Sequence, residues 1–201
     1  MDPVTVHAHI CAPRSHVYAL IADVAARPMW SDHFAKDYRL VSPRSVGVGA
    51  GARFRLDPPG GTRYVEFTVV EARPPRLVVD DGRTGRLGRT RWTARYELTE
   101  PAHGVTRVDL TISTHPENPI ERLREAIGFQ RFVRRGSGQA LERLRRILDE
   151  GGEEAGARAT VAGYEPRKAP RFGVPSGRRF GGDLEGGALP AQRPGPGRVG
   201  E

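Results

Sequence analysis

The chain has 201 residues, a formal net charge of +8 and a single cysteine, Cys11. One cysteine excludes an internal disulfide, and neither a charged-then-apolar leader nor an apolar stretch long enough to span a bilayer is present, so a reducing, cytoplasmic setting without membrane insertion is expected. Arginine dominates the basic residues and charge signs alternate along the chain, which argues for a solvated surface over a polyanion-binding tract and leaves only peripheral contact with an anionic surface open.

In chain order, residues 4 to 11 alternate, with Val4, Val6, Ala8 and Ile10 on one side and Thr5, His7, His9 and Cys11 on the other, the pattern of a half-buried strand. Pro13 then suits a helix start, and Val17, Leu20, Ile21 and Val24 recur at helical spacing. Pro28 forbids simple continuation, so Ala26 to Asp32 reads as a second short helix set at an angle. Strands follow in quick succession: DYRLV, GARFRLD, TRYVEFTVVEA, LVVDD, TRWTARYELT and VTRVDLTIST, separated by PPGG, RPPR, the Gly-rich GRTGRLG and EPAHG. Such short links predict an antiparallel meander.

ENPIE predicts the start of a long helix, with Asn118 as cap, Pro119 first and Glu121 three residues after the cap. Its apolar stripe runs through Ile120, Leu123 and Ile127, then Phe129, Phe132 and Val133, then Leu141, Leu144 and Ile147 or Leu148. Gly128, Gly136 and Gly138 interrupt it, which predicts a bend or close packing. From Gly151 onward Gly and Pro make up 19 of 51 residues and apolar periodicity ends. That composition cannot offset its ordering entropy, so the expected organisation is one domain over 1–150 and a disordered tail over 151–201.

The opening ICAPRSHVYALIAD followed by MW, the strand pair RYELTEPAHGVTRVDLTI and the closing ALERLRRILDE resemble the START-like or SRPBCC superfamily, which includes polyketide cyclases and dehydratases and lipid-transfer domains. The resemblance implies an α+β helix-grip fold: a curved antiparallel seven-stranded sheet in β-α-α-β6-α order wrapped around the C-terminal helix, enclosing a cavity. It further implies that Met29 and Trp30 turn inward at one end of that cavity, where Trp30 is either a core plug or a ligand contact.

Strand alternation assigns Phe54, Phe67, Trp92 and Tyr96 to the interior, opposite Arg53, Arg55, Tyr64, Glu66, Arg91 and Arg95. With Trp30 and the helix residues Phe129, Phe132 and Val133, they form the expected ligand-cavity set, an aliphatic and aromatic interior whose main polar groups are the Tyr96 hydroxyl and Trp92 indole. Asp32 and His33, beside Trp30, are the acid–base candidates, though such a pair also serves simply to end a short helix. His7, His9 and Cys11 share a strand face but lack a matching further ligand, so neither a metal nor another cofactor is expected. The reading that follows is a binder or carrier of a hydrophobic small molecule such as a lipid, isoprenoid or polyketide. A polyketide cyclase or dehydratase using Asp32, His33, Tyr64 or Tyr96, and a ribosome- or protein-interaction module, are the alternatives; nucleic acid is disfavoured because the aromatics face inward.

Overall fold

The computed structural model describes residues 2–85, 88–116, 128–150 and 158–161. The elements come in the expected order: β1 (Val4–Ile10), α1 (Arg14–Ala22), α2 (Pro28–Ser31), β2 (Lys36–Leu40), β3 (Gly51–Leu56), β4 (Arg63–Arg73), β5 (Leu77–Thr84), β6 (Thr90–Ala102), β7 (Val105–Pro116) and α3 (Phe129–Asp149). The strands form one antiparallel seven-stranded sheet in the order β1-β7-β6-β5-β4-β3-β2. Only β1 breaks sequence order, because α1 and α2 carry the chain from one edge of the sheet to the other. Bulges between Lys36 and Arg39, Val69 and Glu71, and Thr99 and Ala102 interrupt the ladders, and each adds local bend and twist.

Period-two patterning places the strands as expected. Phe54 and Leu56, Val65, Phe67 and Val69, Trp92, Ala94, Tyr96 and Leu98, and Val108, Leu110 and Ile112 supply buried side chains on one face. α3 covers that face, packing chiefly on β1 and α2, while α1 lies against β5, β6 and β7.

Three differences from the sequence reading have local causes. The predicted helix start at Asn118 and Pro119 lies outside the described residues, and Gly128 stands at φ 88°, a left-handed conformation that no α-helix continues through, so α3 begins at Phe129. β5 extends to Thr84, into the stretch read as a Gly-rich loop. Beyond residue 150, residues 158–161 lie against the domain: Leu40 N donates to Thr160 O at 2.7 Å, Ala159 N to Ala25 O at 2.8 Å, and Arg158 pairs with Asp23 at 2.5 Å. They cover part of the β2 edge, whose backbone groups would otherwise face solvent.

Two of the glycines in α3 play opposite parts. A Cβ at Gly136 would stand 2.0 Å from the Phe34 ring, whereas one at Gly138 would meet nothing within 4 Å. Gly136 therefore permits the close approach of the segment after α2, and Gly138 carries only its poor helix propensity. Gly136→Ala is expected to destabilise by about 1–3 kcal/mol through overpacking, and Gly138→Ala to stabilise by up to about 1 kcal/mol; urea unfolding of the two variants at equal m-value checks both signs.

Candidate functional site: an aromatic cavity with a buried ion pair

Arg27 stands where the chain turns into α2, just before Pro28, and is 3% exposed. Its Nη1 and Nη2 donate to the two Asp80 oxygens at 2.5 and 3.2 Å, and its Nε donates to Ile21 O at 3.0 Å. The Phe67 and Tyr96 ring centroids lie 5.2 and 5.0 Å from its Cζ. Burial opposes the guanidinium charge, but Asp80 beside it outweighs that, and Arg27 is held protonated. Burial pushes the Asp80 carboxyl up, and Arg27 offsets this only in part. The interior is thus not only aliphatic and aromatic, as the strand pattern predicts; an ion pair sits inside it.

Around this pair the sheet, α2 and α3 enclose a cavity of about 50 Å³. Trp30, Phe54, Phe67, Trp92 and Tyr96 line it. Phe129, Phe132 and Val133 do not: Phe129 is buried beneath Arg63, whose Cζ is 4.4 Å from its ring centroid, Phe132 packs on Phe34 at 5.4 Å between centroids, and Val133 is buried in the core. α3 faces the cavity with the small Ser137 and Ala140 instead. Sequence reasoning missed Arg27, Asp80, Tyr38 and Ser137. The available signal was an arginine inside the apolar run VAARPMW and an aspartate closing LVVD on the inward phase.

The aromatic rings interlock. Tyr38 stacks on Phe54 at 5.7 Å, Trp30 meets Tyr96 edge-on at 6.5 Å, and Phe54 meets Trp92 edge-on at 6.4 Å. Ser137 Oγ donates to Val133 O and Ser31 Oγ to Arg27 O, so both hydroxyl protons are committed. Trp30 Nε1 is buried without a hydrogen-bond partner, and Tyr38 Oη, which the Arg27 guanidinium faces as a donor, has no acceptor for its own proton; such groups are costly unless something fills the space beside them. Burial pushes the Tyr96 hydroxyl up to about 12 and raises Tyr38 above the usual tyrosine range against the opposing pull of Arg27, so both stay protonated at neutral pH.

Asp32 and His33 stand on the other side of α2, away from the cavity lining. Arg143 of α3 bonds both: Nη1 donates to Asp32 Oδ1 and, at 2.9 Å, to His33 Nδ1. A guanidinium can only donate, so Nδ1 accepts and the ring proton sits on Nε2, which donates to Gly136 O at 3.2 Å. Both ring nitrogens are committed, and the pair clasps the end of α2 to α3. Tyr64 projects outward, 48% exposed, under the Arg53 guanidinium at 4.8 Å. His7 and His9 meet edge-on at 6.1 Å on the exposed side of β1, and no group of three or more His, Cys, Asp or Glu side chains comes together among the described residues. A broader open groove of about 580 Å³ on the outer face, between Arg53, Tyr64, Glu66 and Arg83, is lined by charges of both signs.

Arg27→Met or Asp80→Leu alone leaves an uncompensated buried charge and is expected to cost about 3–5 kcal/mol, whereas the double variant costs much less than the sum; a double-mutant cycle in urea reads the coupling. Burial first, then Arg143, holds His33 below its ordinary value against Gly136 and Asp32. A depressed histidine gives stability that is full above its unfolded pKa of about 6.5 and is lost as pH falls through the folded value. The urea midpoint of the wild type should therefore fall more steeply on acidification below pH ~6.5 than that of His33→Asn, and parallel curves would remove His33 from the clasp.

Comparisons with known proteins agree with this architecture. The family model described as polyketide cyclase / dehydrase and lipid transport matches residues 1–149. Among solved structures, the chain is similar to TTHA0849 from Thermus thermophilus, with 18% identity over 76% of this chain and 100% of that one at a TM-score of 0.59. It is likewise similar to the ginseng major latex-like protein 151 from Panax ginseng, with 10% identity over 73% and 97% of the two chains at a TM-score of 0.58. DynU16, described as a protein in the dynemicin biosynthetic locus, aligns with 19% identity over 79% of this chain but 50% of its own, at a TM-score of 0.52. A search of curated proteins found no match. With a single model spanning everything from β1 through the last residue of α3, and with the helix-grip fold shared by its structural neighbours, the chain belongs to the polyketide cyclase/dehydrase and lipid-transport family of the SRPBCC superfamily.

Proposed function

We propose that the chain binds a compact, largely apolar molecule carrying a hydrogen-bond-accepting oxygen, in the cavity between the sheet, α2 and α3. The observation that carries this reading is a pair of donors without an acceptor, the Trp30 Nε1–H and the Tyr38 O–H, on residues that wall an otherwise aromatic space. Rings of Phe54, Phe67 and Trp92 supply the apolar contact, and the indole N–H and phenol O–H supply orientation. Arg27 and Asp80 neutralise each other, so the site favours a neutral ligand.

The void of about 50 Å³ is smaller than the roughly 150 Å³ that accommodates benzene. It has room for a few waters, so a ligand of this class enters only as a wall yields. The strands are held by continuous hydrogen-bonded ladders, whereas α2 is a four-residue helix tied to α3 through Arg143, Asp32 and His33. The seam between α2 and α3 is therefore the route of least resistance. A family relationship to cyclases raises the alternative of catalysis, but Tyr38 and Tyr96 are held protonated and Asp32 and His33 are tied into the clasp, which supports binding over acid–base chemistry.

The test compares α-tetralone with tetralin, which differ by one acceptor carbonyl, by quenching of tryptophan fluorescence, alongside native mass spectrometry of freshly purified protein. The wild type is expected to favour the ketone by about fivefold to tenfold, the value of one satisfied neutral hydrogen bond. Tyr38→Phe and Trp30→Phe should each narrow that preference while the hydrocarbon still binds. Equal affinity for the two probes, or no binding of either together with an empty mass spectrum, would refute the proposal.

A further inference from the structure

Some arginines of this molecule are partnered by carboxylates: Arg91 with Asp81 at 2.8 Å, Arg95 with Glu97 at 2.8 Å, Arg107 with Asp109 at 2.8 Å, Arg55 with Asp37 at 3.1 Å. Others are not, and the solvent face of α3 gathers several of these on one element. Arg131, Arg134, Arg135 and Arg146 are exposed and make no ion pair among the described residues. At 3.6 residues per turn all four project from one side of the helix, over roughly 22 Å. The acidic residues on that side, Glu142 and Asp149, are both engaged by Arg145, at 2.9 and 3.8 Å. Arg131 sits in the first turn, where the helix dipole disfavours positive charge, and that turn holds no acidic residue.

We propose that this face of α3 docks on an anionic phospholipid bilayer. Cations sharing one side of a rigid helix can meet a flat anionic surface together, and charge complementarity is the whole of the attraction: no large apolar side chain stands among these arginines to insert. A nucleic acid fits less well, because the aromatics of α3 turn inward, Phe129 buried and Phe132 half-buried on Phe34, leaving no stacking platform. The opposite side of the same helix carries Ser137 and Ala140 in the cavity wall. Docking would hold the cavity about one helix diameter, ~10 Å, from the bilayer, where apolar molecules concentrate. The docking itself needs only the four cations and stands whether or not the cavity is occupied.

The experiment is co-sedimentation of the full chain with phosphatidylglycerol-rich vesicles and with pure phosphatidylcholine vesicles, at low and high salt. Wild-type protein should sediment with the anionic vesicles at low salt, be released by high salt and ignore the neutral ones. Replacing Arg131, Arg134, Arg135 and Arg146 together by Gln should weaken that binding by roughly several hundredfold, at about fivefold per cation, with the melting temperature little changed because none of the four makes an ion pair among the described residues. Tyr38→Phe should bind vesicles as the wild type does, which separates this result from the ligand test. No sedimentation with anionic vesicles, equal sedimentation with neutral ones, undiminished binding by the quadruple variant, or tighter binding of a duplex oligonucleotide through the same four arginines would each overturn the proposal.

Discussion

Arg27 lies between the Phe67 and Tyr96 rings with its terminal nitrogens on Asp80 and its Nε on the last turn of α1. Burying a guanidinium and a carboxylate costs several kcal/mol each before they attract one another, and the cost is recovered only when the geometry is close and the remaining donors are used. Here one residue meets those conditions by joining three elements: α1 through Ile21 O, the entry to α2 through its own backbone, and β5 through Asp80. The ion pair thereby fixes where α2 starts over the sheet. It also sets the chemistry of the enclosed space, since a paired charge leaves an environment that is polar at one point yet neutral overall.

Once α2 is anchored at its start, its other end depends on α3. Gly136 has two functions there: the Phe34 ring occupies the place of its Cβ, which only glycine allows, and its carbonyl accepts from His33. Arg143, two turns further along α3, closes the contact from the solvent side. The segment from Pro28 to Tyr38 is therefore pinned by a buried ion pair at one end and by a partly exposed clasp in the middle. The exposed clasp is the weaker of the two, because solvent and salt screen it while the inner pair is shielded.

The sheet was legible in the sequence wherever one face is buried and the other wet. Val65, Phe67 and Val69 against Tyr64, Glu66 and Thr68, or Trp92, Ala94 and Tyr96 against Arg91, Thr93 and Arg95, encode both the strand and its direction of burial. The break at Pro28 was legible for the same kind of local reason, whereas the inward turn of Trp30 came from the family resemblance. Arg27 was not, because a charged residue belongs outside unless a partner meets it, and Asp80 lies 53 positions away in the chain. The clasp was hidden likewise, with Arg143 110 positions from His33. The α3 wall was misjudged for a different reason: apolar size identifies residues that fill space, and a cavity borders on residues that do not, here Ser137 and Ala140.

That last point bears on what determines the size of the void. The strand residues that border it are fixed by ladder register, and the α3 residues are already small, so neither can give up much volume. The bulky groups that border the space and belong to no long element are Trp30, Phe34 and Tyr38, all carried on the short run through α2 into β2. A shift of that run changes the void more than any rearrangement of the sheet, since its regular structure amounts to one turn of helix and the start of an edge strand bent by a bulge at Lys36 to Arg39. The size of the void is therefore governed by residues 28–38 and by the two contacts that hold them, and the sheet supplies its fixed wall.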